Sequence, residues 1–153
     1  MKELYDNKSK NIMKIADRSS SMSLNRIEQI RAFALEGNFK RIGIAHCITF
    51  NRETKFIKRY LEKDFEVFSV DCKINRLSSD ELFDNNKSKI LCNPAGQAHF
   101  LNEKNTDLNI SLGLCVGHDM IFNIKSDALV TTLYSKDFTN NNDMDQAISD
   151  LMK

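Results

Sequence analysis

Apolar residues recur along this chain in two alternating rhythms, one helical and one of short β-branched runs. Between Ser23 and Gly37, Leu24, Ile27, Ile30, Ala34 and Leu35 fall at helical spacing. Ser23 is available as the N-cap, and Gly37 stands just past the end, where a left-handed residue is wanted. Arg41 to Thr49 (RIGIAHCIT) reads as a strand, and Asn51 as the cap of a helix with Phe56, Ile57, Tyr60 and Leu61 on its buried stripe. The pair repeats in FEVFSVDCKI, where Phe65, Val67, Phe68, Val70 and Ile74 favour strand. The polar stretch from Asn75 to Lys89 reads as loop, with one helical turn around Asp80 to Phe83. Asn93-Pro94 offers an N-cap followed by proline at the first helical position, and predicts a helix running to about Lys104. DLNISLGLCV is the third strand, Gly117 a turn, HDMIFNIKS a short helix, and LVTTLYS the fourth strand. After an NNN turn, Met144, Ile148, Leu151 and Met152 outline a closing helix.

Strands alternating with helices imply right-handed βαβ crossovers and a sheet covered on both faces. The expected fold is α/β: a single three-layer domain on a mostly parallel four-stranded sheet, flavodoxin-like or Rossmann-like, with strand order 2-1-3-4. Residues 1–21, with Leu4, Ile12, Met13, Ile15 and Ala16 as their scattered apolar points, read as a polar arm with one short helix. Residues 22–153 form the domain.

Composition narrows the partners. Lys+Arg 22 against Asp+Glu 21 gives a net charge of +1, with the signs interspersed, so neither nucleic acid nor membrane is an expected partner. No apolar run approaches the roughly 20 residues that span a bilayer, and the polar start MKELYDNKSK has no signal-peptide core, so the expected location is cytoplasmic. The few apolar positions on the arm leave room for a swapped arm and a homo-oligomer.

All four cysteines, Cys47, Cys72, Cys92 and Cys115, fall where a strand is ending or a helix is about to begin. A parallel sheet gathers such positions along its carboxyl edge, where open α/β sheets bind ligands, and order 2-1-3-4 puts the switch point between the strands that lead to Cys47 and Cys115. In a reducing compartment clustered cysteines point to metal or reactivity rather than to disulfides. Zinc takes thiolates at about 2.3 Å in a tetrahedron and an iron–sulfur cluster takes up to four cysteines, so spacing leaves iron–sulfur and zinc both open. No CxxC pair is present, which disfavours a zinc finger. Cys92 precedes a helix N-terminus that favours a thiolate. Cys115 lies in GLCVGHD, where Gly113 and Gly117 let backbone or ligand approach. His118 is placed to act as a further ligand or proton carrier, and Asp119 to cap the helix or orient that imidazole. Asn93 is an N-cap whose amide could also face a ligand. His46 should point away from Cys47 within a strand, and His99 reads as an ordinary helix residue. The absence of GxGxxG, Walker and GxSxG motifs argues against dinucleotides, nucleoside triphosphates and serine hydrolysis.

The segments CNPAGQAHFLN, TDLNISLGLCVGHDMIF and VTTL, with RIEQIRAFA and GIAHC upstream, resemble the uncharacterised metal-binding proteins of the domain of unknown function 1847 family, over roughly residues 24–137. The resemblance implies metal binding and supplies no activity. It also implies an N-terminal cysteine-rich segment, and no cysteine precedes Cys47 here. The leading expectation is a cytoplasmic metal-binding protein with Cys47, Cys72, Cys92 and Cys115 as ligands, Asn93, His118 and Asp119 beside them, and room for a small-molecule substrate. The alternatives are a metal-free thiol enzyme using Cys92 or Cys115, with His118 as its base, and a small-ligand-binding module in which the cysteines are simply buried.

Overall fold

The computed structural model describes residues 1–84 and 86–152, so the expectations touching Asn85 and Lys153 lie outside the described residues. Four strands, β1 (Arg41–His46), β2 (Glu66–Asp71), β3 (Leu108–Leu112) and β4 (Leu129–Tyr134), form one parallel sheet in the order β2-β1-β3-β4. That is the flavodoxin-like order the alternation predicts. The central strands β1 and β3 are buried almost end to end, as a strand covered on both faces must be.

Period-two alternation sends successive residues of each strand to opposite layers. Ile42 and Ile44 pack with Val67, Ile110 and Leu112 under Ile30 and Ala34 of α2 (Arg26–Glu36) and under Ile57 and Leu61 of α3 (Asn51–Leu61). On the other face Ala45 and Val70 meet Ala98 and Leu101 of α5 (Pro94–Glu103) and Phe122 of α6 (His118–Lys125). Gly43 lets α5 settle close, since a Cβ there would run into Leu101 and the Asn109 side chain. The N-terminal segment folds as α1 (Asn7–Ser19), which lies on α2 and buries Ile15.

Several local expectations shift. The cap of α2 is Asn25 rather than Ser23, because Asn25 and Glu28 complete a capping box. Gly37 stays right-handed, and the left-handed turn falls on Asn38 (φ 55°). Asn51 does not cap α3: a 3-10 turn over Ile48–Phe50 feeds straight into it. Phe56 is 60% exposed, and Thr54 replaces it on the buried stripe by giving its hydroxyl to the Phe50 carbonyl. The helical turn in the polar stretch is α4 (Ser79–Phe83), and the closing helix is α7 (Met144–Leu151).

The strand ends matter most for the site. β1 stops at His46 and β3 at Leu112, earlier than the apolar runs suggest, so Cys47 and Cys115 sit in the turns beyond them. At the end of β4 the pairing slips by one residue, with Ser111 opposite Thr132 but Leu112 opposite Tyr134. Such a bulge bends a strand and re-aims the residues beyond it. Here it delivers Lys136 over the carboxyl edge.

Candidate thiol site at the carboxyl edge of the sheet

Cys47 prolongs β1 by one hydrogen bond, its N–H donating to the Leu112 carbonyl at 3.1 Å. Its Sγ then lies under the following turn and accepts from the Thr49 hydroxyl at 3.2 Å. Cys72 follows β2 and is 3% exposed. The Asn93 N–H donates to the Cys72 carbonyl at 2.8 Å, which draws the start of α5 back over the end of β2 and sets Cys92 Sγ 3.6 Å from Cys72 Sγ. Cys72 is near enough to Cys47 to help lower its thiol. Cys115 closes the group from the β3 side, where Lys136 Nζ donates to its Sγ at 2.7 Å and reaches Cys47 Sγ at 3.6 Å. The four sulfurs thus lie near one another as two pairs, Cys72 against Cys92, and Cys47 with Cys115 on either side of the Lys136 ammonium.

The electrostatics divide the thiols. Burial pushes the Cys47 thiol up, but the Thr49 hydroxyl and N–H, the Lys136 charge and Cys72 together bring it below its ordinary value. Cys72 is pushed up to about 12, by burial first and then by Cys92 and Cys47. Lys136 loses to burial and gains more from Cys115 and Cys47, so it is held charged above the ordinary lysine value. His118 is depressed by burial and by the charges of Lys136 and Lys73, which puts it at the cationic rim of the group. His46, buried at the end of β1, is depressed by burial and directs Nδ1 to the Cys47 carbonyl at 3.1 Å.

The other expected residues take different places. Asn93 caps α5, its Oδ1 accepting from the Gly96 N–H at 2.8 Å, and its amide nitrogen reaches the Ile74 carbonyl at 3.4 Å. The Asp119 carboxylate neither caps α6 nor meets the His118 ring: it accepts from the Ser111 hydroxyl at 2.6 Å. Asp119 and Ser111 line a cavity of about 80 Å³ that also touches Thr132, Tyr134 and Lys136. His99 is exposed beside Glu103.

Lys136 is the residue that sequence reasoning missed. Its only signal is position, immediately after the fourth strand and therefore at the same sheet edge as the cysteines. Among 22 lysines and arginines nothing in composition singles it out.

The fold is a single α/β domain on a parallel flavodoxin-like sheet, with Cys47 and Cys115 on the switch-point loops and Cys72 and Cys92 nearby at the end of β2 and the start of α5. The chain belongs to the family described as protein of unknown function (DUF1847), whose model matches residues 1–133. The match takes in α1, which the resemblance leaves out, and stops short of Lys136. A relative, Uncharacterized protein MJ0455 of Methanocaldococcus jannaschii, is 42% identical over 120 residues, covering 76% of this chain and 62% of the relative. The chain therefore spans less than two thirds of that relative's length. No solved structure matches it.

The donor chemistry suits a soft metal, because thiolates are its preferred ligands. Two thiolates on one tetrahedral zinc stand about 3.8 Å apart, given Zn–S bonds of about 2.3 Å, and Cys72 and Cys92 are close to that at 3.6 Å. Among the described residues, however, no group of three or more His, Cys, Asp or Glu side chains converges to hold an ion. Lys136 stands in the way of the other two sulfurs. No helix among the described residues is long and apolar enough to cross a membrane.

Proposed function

We propose that this protein binds a thiophilic metal, zinc or an iron–sulfur cluster, through the thiolates of Cys47, Cys72, Cys92 and Cys115. The 3.6 Å Cys72–Cys92 separation carries the reading, since it matches two ligands of one metal and comes from two separate loops. Bound metal would bring down the high-lying Cys72 thiol, because a coordinated thiol gives up its proton. The reading calls for a reducing compartment such as the cytoplasm. The cavity of about 80 Å³ beside Asp119 lies on the Lys136 side of the group and is too small for more than a fragment of a substrate.

The test is metal and acid-labile sulfide analysis of protein purified without oxygen or chelator, with Cys72→Ser and Cys115→Ser alongside. Stoichiometric zinc, or iron with sulfide, that falls in both variants is the expected result. Metal content unchanged by both substitutions would remove the cysteines as ligands.

One observation favours a second reading. The Lys136 ammonium 2.7 Å from Cys115 Sγ and 3.6 Å from Cys47 Sγ is an arrangement that activates a thiolate nucleophile without metal. Metal-free protein with one thiol alkylated far faster than the other three would support it, with Cys47, Cys92 and Cys115 as the positions to map.

A further inference from the structure

We propose that Cys92 and Cys72 act as a redox dithiol that reduces a low-molecular-weight disulfide, Cys92 forming the mixed disulfide and Cys72 resolving it. The inference goes beyond the metal reading and applies to the metal-free chain. The two Sγ atoms are 3.6 Å apart, so closing them to a disulfide bond of about 2.05 Å asks for an approach of only about 1.5 Å. The two loops that carry them are fastened together around the pair. The Cys72 carbonyl accepts from the Asn93 N–H at 2.8 Å, the Leu77 carbonyl from the Leu91 N–H at 2.8 Å, and the Ile90 carbonyl from Lys73 Nζ at 3.1 Å. Backbone tied in this way keeps the sulfurs in contact, and such positioning is what speeds an intramolecular displacement.

Exposure sets the order of the two steps. Cys72 is 3% exposed and Cys92 half-buried, so a disulfide arriving from solution meets Cys92. A half-buried sulfur suits a small disulfide rather than one held within a folded protein. The Cys92 thiolate, its proton lost to water, attacks one sulfur of the substrate. A bond forms from Cys92 Sγ to that sulfur, the substrate's sulfur–sulfur bond breaks, and the first thiolate leaves and is protonated by water. Cys72 Sγ then attacks Cys92 Sγ. The Cys72–Cys92 disulfide forms, the mixed disulfide breaks, and the second thiolate leaves with the Cys72 proton. The substrate is reduced by two electrons to two thiols, and the protein is oxidised by the same two. An external dithiol, itself oxidised to a disulfide, returns the pair. A disulfide that forms and is reduced in this way is the kind found in reducing compartments.

The experiment uses the full chain, reduced, kept metal-free with chelator and treated without oxygen with oxidised glutathione. Peptide mapping by mass spectrometry should find a Cys72–Cys92 disulfide in the unmodified protein, with no glutathione retained on Cys92, and dithiothreitol should return both thiols. Cys72→Ser should lose the disulfide and hold glutathione on Cys92, the intermediate now left unresolved. Cys92→Ser should leave Cys72 unmodified. The mapping of the unmodified protein needs no variant to fold. If it retains glutathione on Cys92, or joins Cys72 or Cys92 only to another cysteine, or leaves both thiols free, the inference is overturned. None of these outcomes bears on the metal reading, which is decided by the metal content of protein purified without chelator.

Discussion

Gly113→Ala tests the packing that carries the site. Gly113 has φ +64°, and a Cβ built there would overlap the ring of Phe50. The ring cannot step aside cheaply. It is buried, edge-on to Tyr134 at a centroid distance of 5.3 Å and tilted against Phe138 at 6.4 Å, and the Gly113 N–H donates to the Tyr134 carbonyl at 2.8 Å. An unfavourable backbone region costs about 1–3 kcal/mol and overpacking a further 1–3 kcal/mol or so, giving about 2–6 kcal/mol in all. Gly117→Ala is the matched control, because Gly117 has φ +85° but open space around its absent Cβ. It should cost only the backbone share, about 1–3 kcal/mol. Urea unfolding of the reduced, metal-free protein, monitored by circular dichroism, should place the Gly113→Ala midpoint about 1–3 M below the parent and clearly below Gly117→Ala. Tyr134 and Phe138 flank Lys136, so Gly113→Ala should also loosen the ammonium from Cys115. Equal losses for the two variants would refute the steric argument, since strain alone would then account for both.

The same geometry sets further expectations. The thiolate ultraviolet absorbance of the metal-free protein should persist below the ordinary thiol range of about 8.5 and be lost in Cys47→Ser; an unchanged titration would assign the acidic thiol elsewhere. With Cys72 pushed up to about 12, it should be the last cysteine alkylated near neutrality, and prompt labelling at that position by peptide mapping would contradict its environment. His46 and His118 are both held below the ordinary histidine value, so between about pH 7.5 and 5.5 the unfolded chain binds protons that the fold does not. Stability should therefore fall on acidification through that window, and a flat denaturation midpoint would sink the assignment. Gln97 is fully buried and donates to the carbonyls of His46 and Val70 at 3.2 and 2.9 Å, while its own Oε1 has no partner among the described residues. Gln97→Leu should cost about 1–3 kcal/mol by urea unfolding, the lost donors outweighing the relieved oxygen; a stabilised variant would reverse that ranking.

Legibility in the sequence divides along physical lines. The sheet order is legible because apolar strand runs alternate with helical segments, although the buried β3 sets Asn109 and Ser111 between Leu108, Ile110 and Leu112. The gathering of the cysteines is legible from where those runs end. Caps are less so: Ser23 and Asn25 both satisfy local chemistry, and only the reciprocal contact with Glu28 decides between them. Phe56 misleads because its hydrophobicity says nothing about which side of α3 meets the sheet, whereas Thr54 can be buried by returning its hydroxyl to the helix backbone. Asp119 points by sequence to its helix neighbour, yet its partner, Ser111, lies on β3. Lys136 is invisible because its importance depends on a one-residue slip between β3 and β4, and no local pattern encodes that slip.

The strand order also fixes when the site can exist during synthesis. As the chain emerges, β1 and β2 are complete first, and they can pair at once because they are neighbours in the sheet. At that stage only Cys47 and Cys72 are near one another, too few thiols to retain a soft metal well. β3 then takes its place on the opposite side of β1 and brings Cys115, after α5 has set Cys92 against Cys72. Lys136 arrives last, behind β4. The chain order thus places all four cysteines ahead of the ammonium that reaches Cys47 and Cys115.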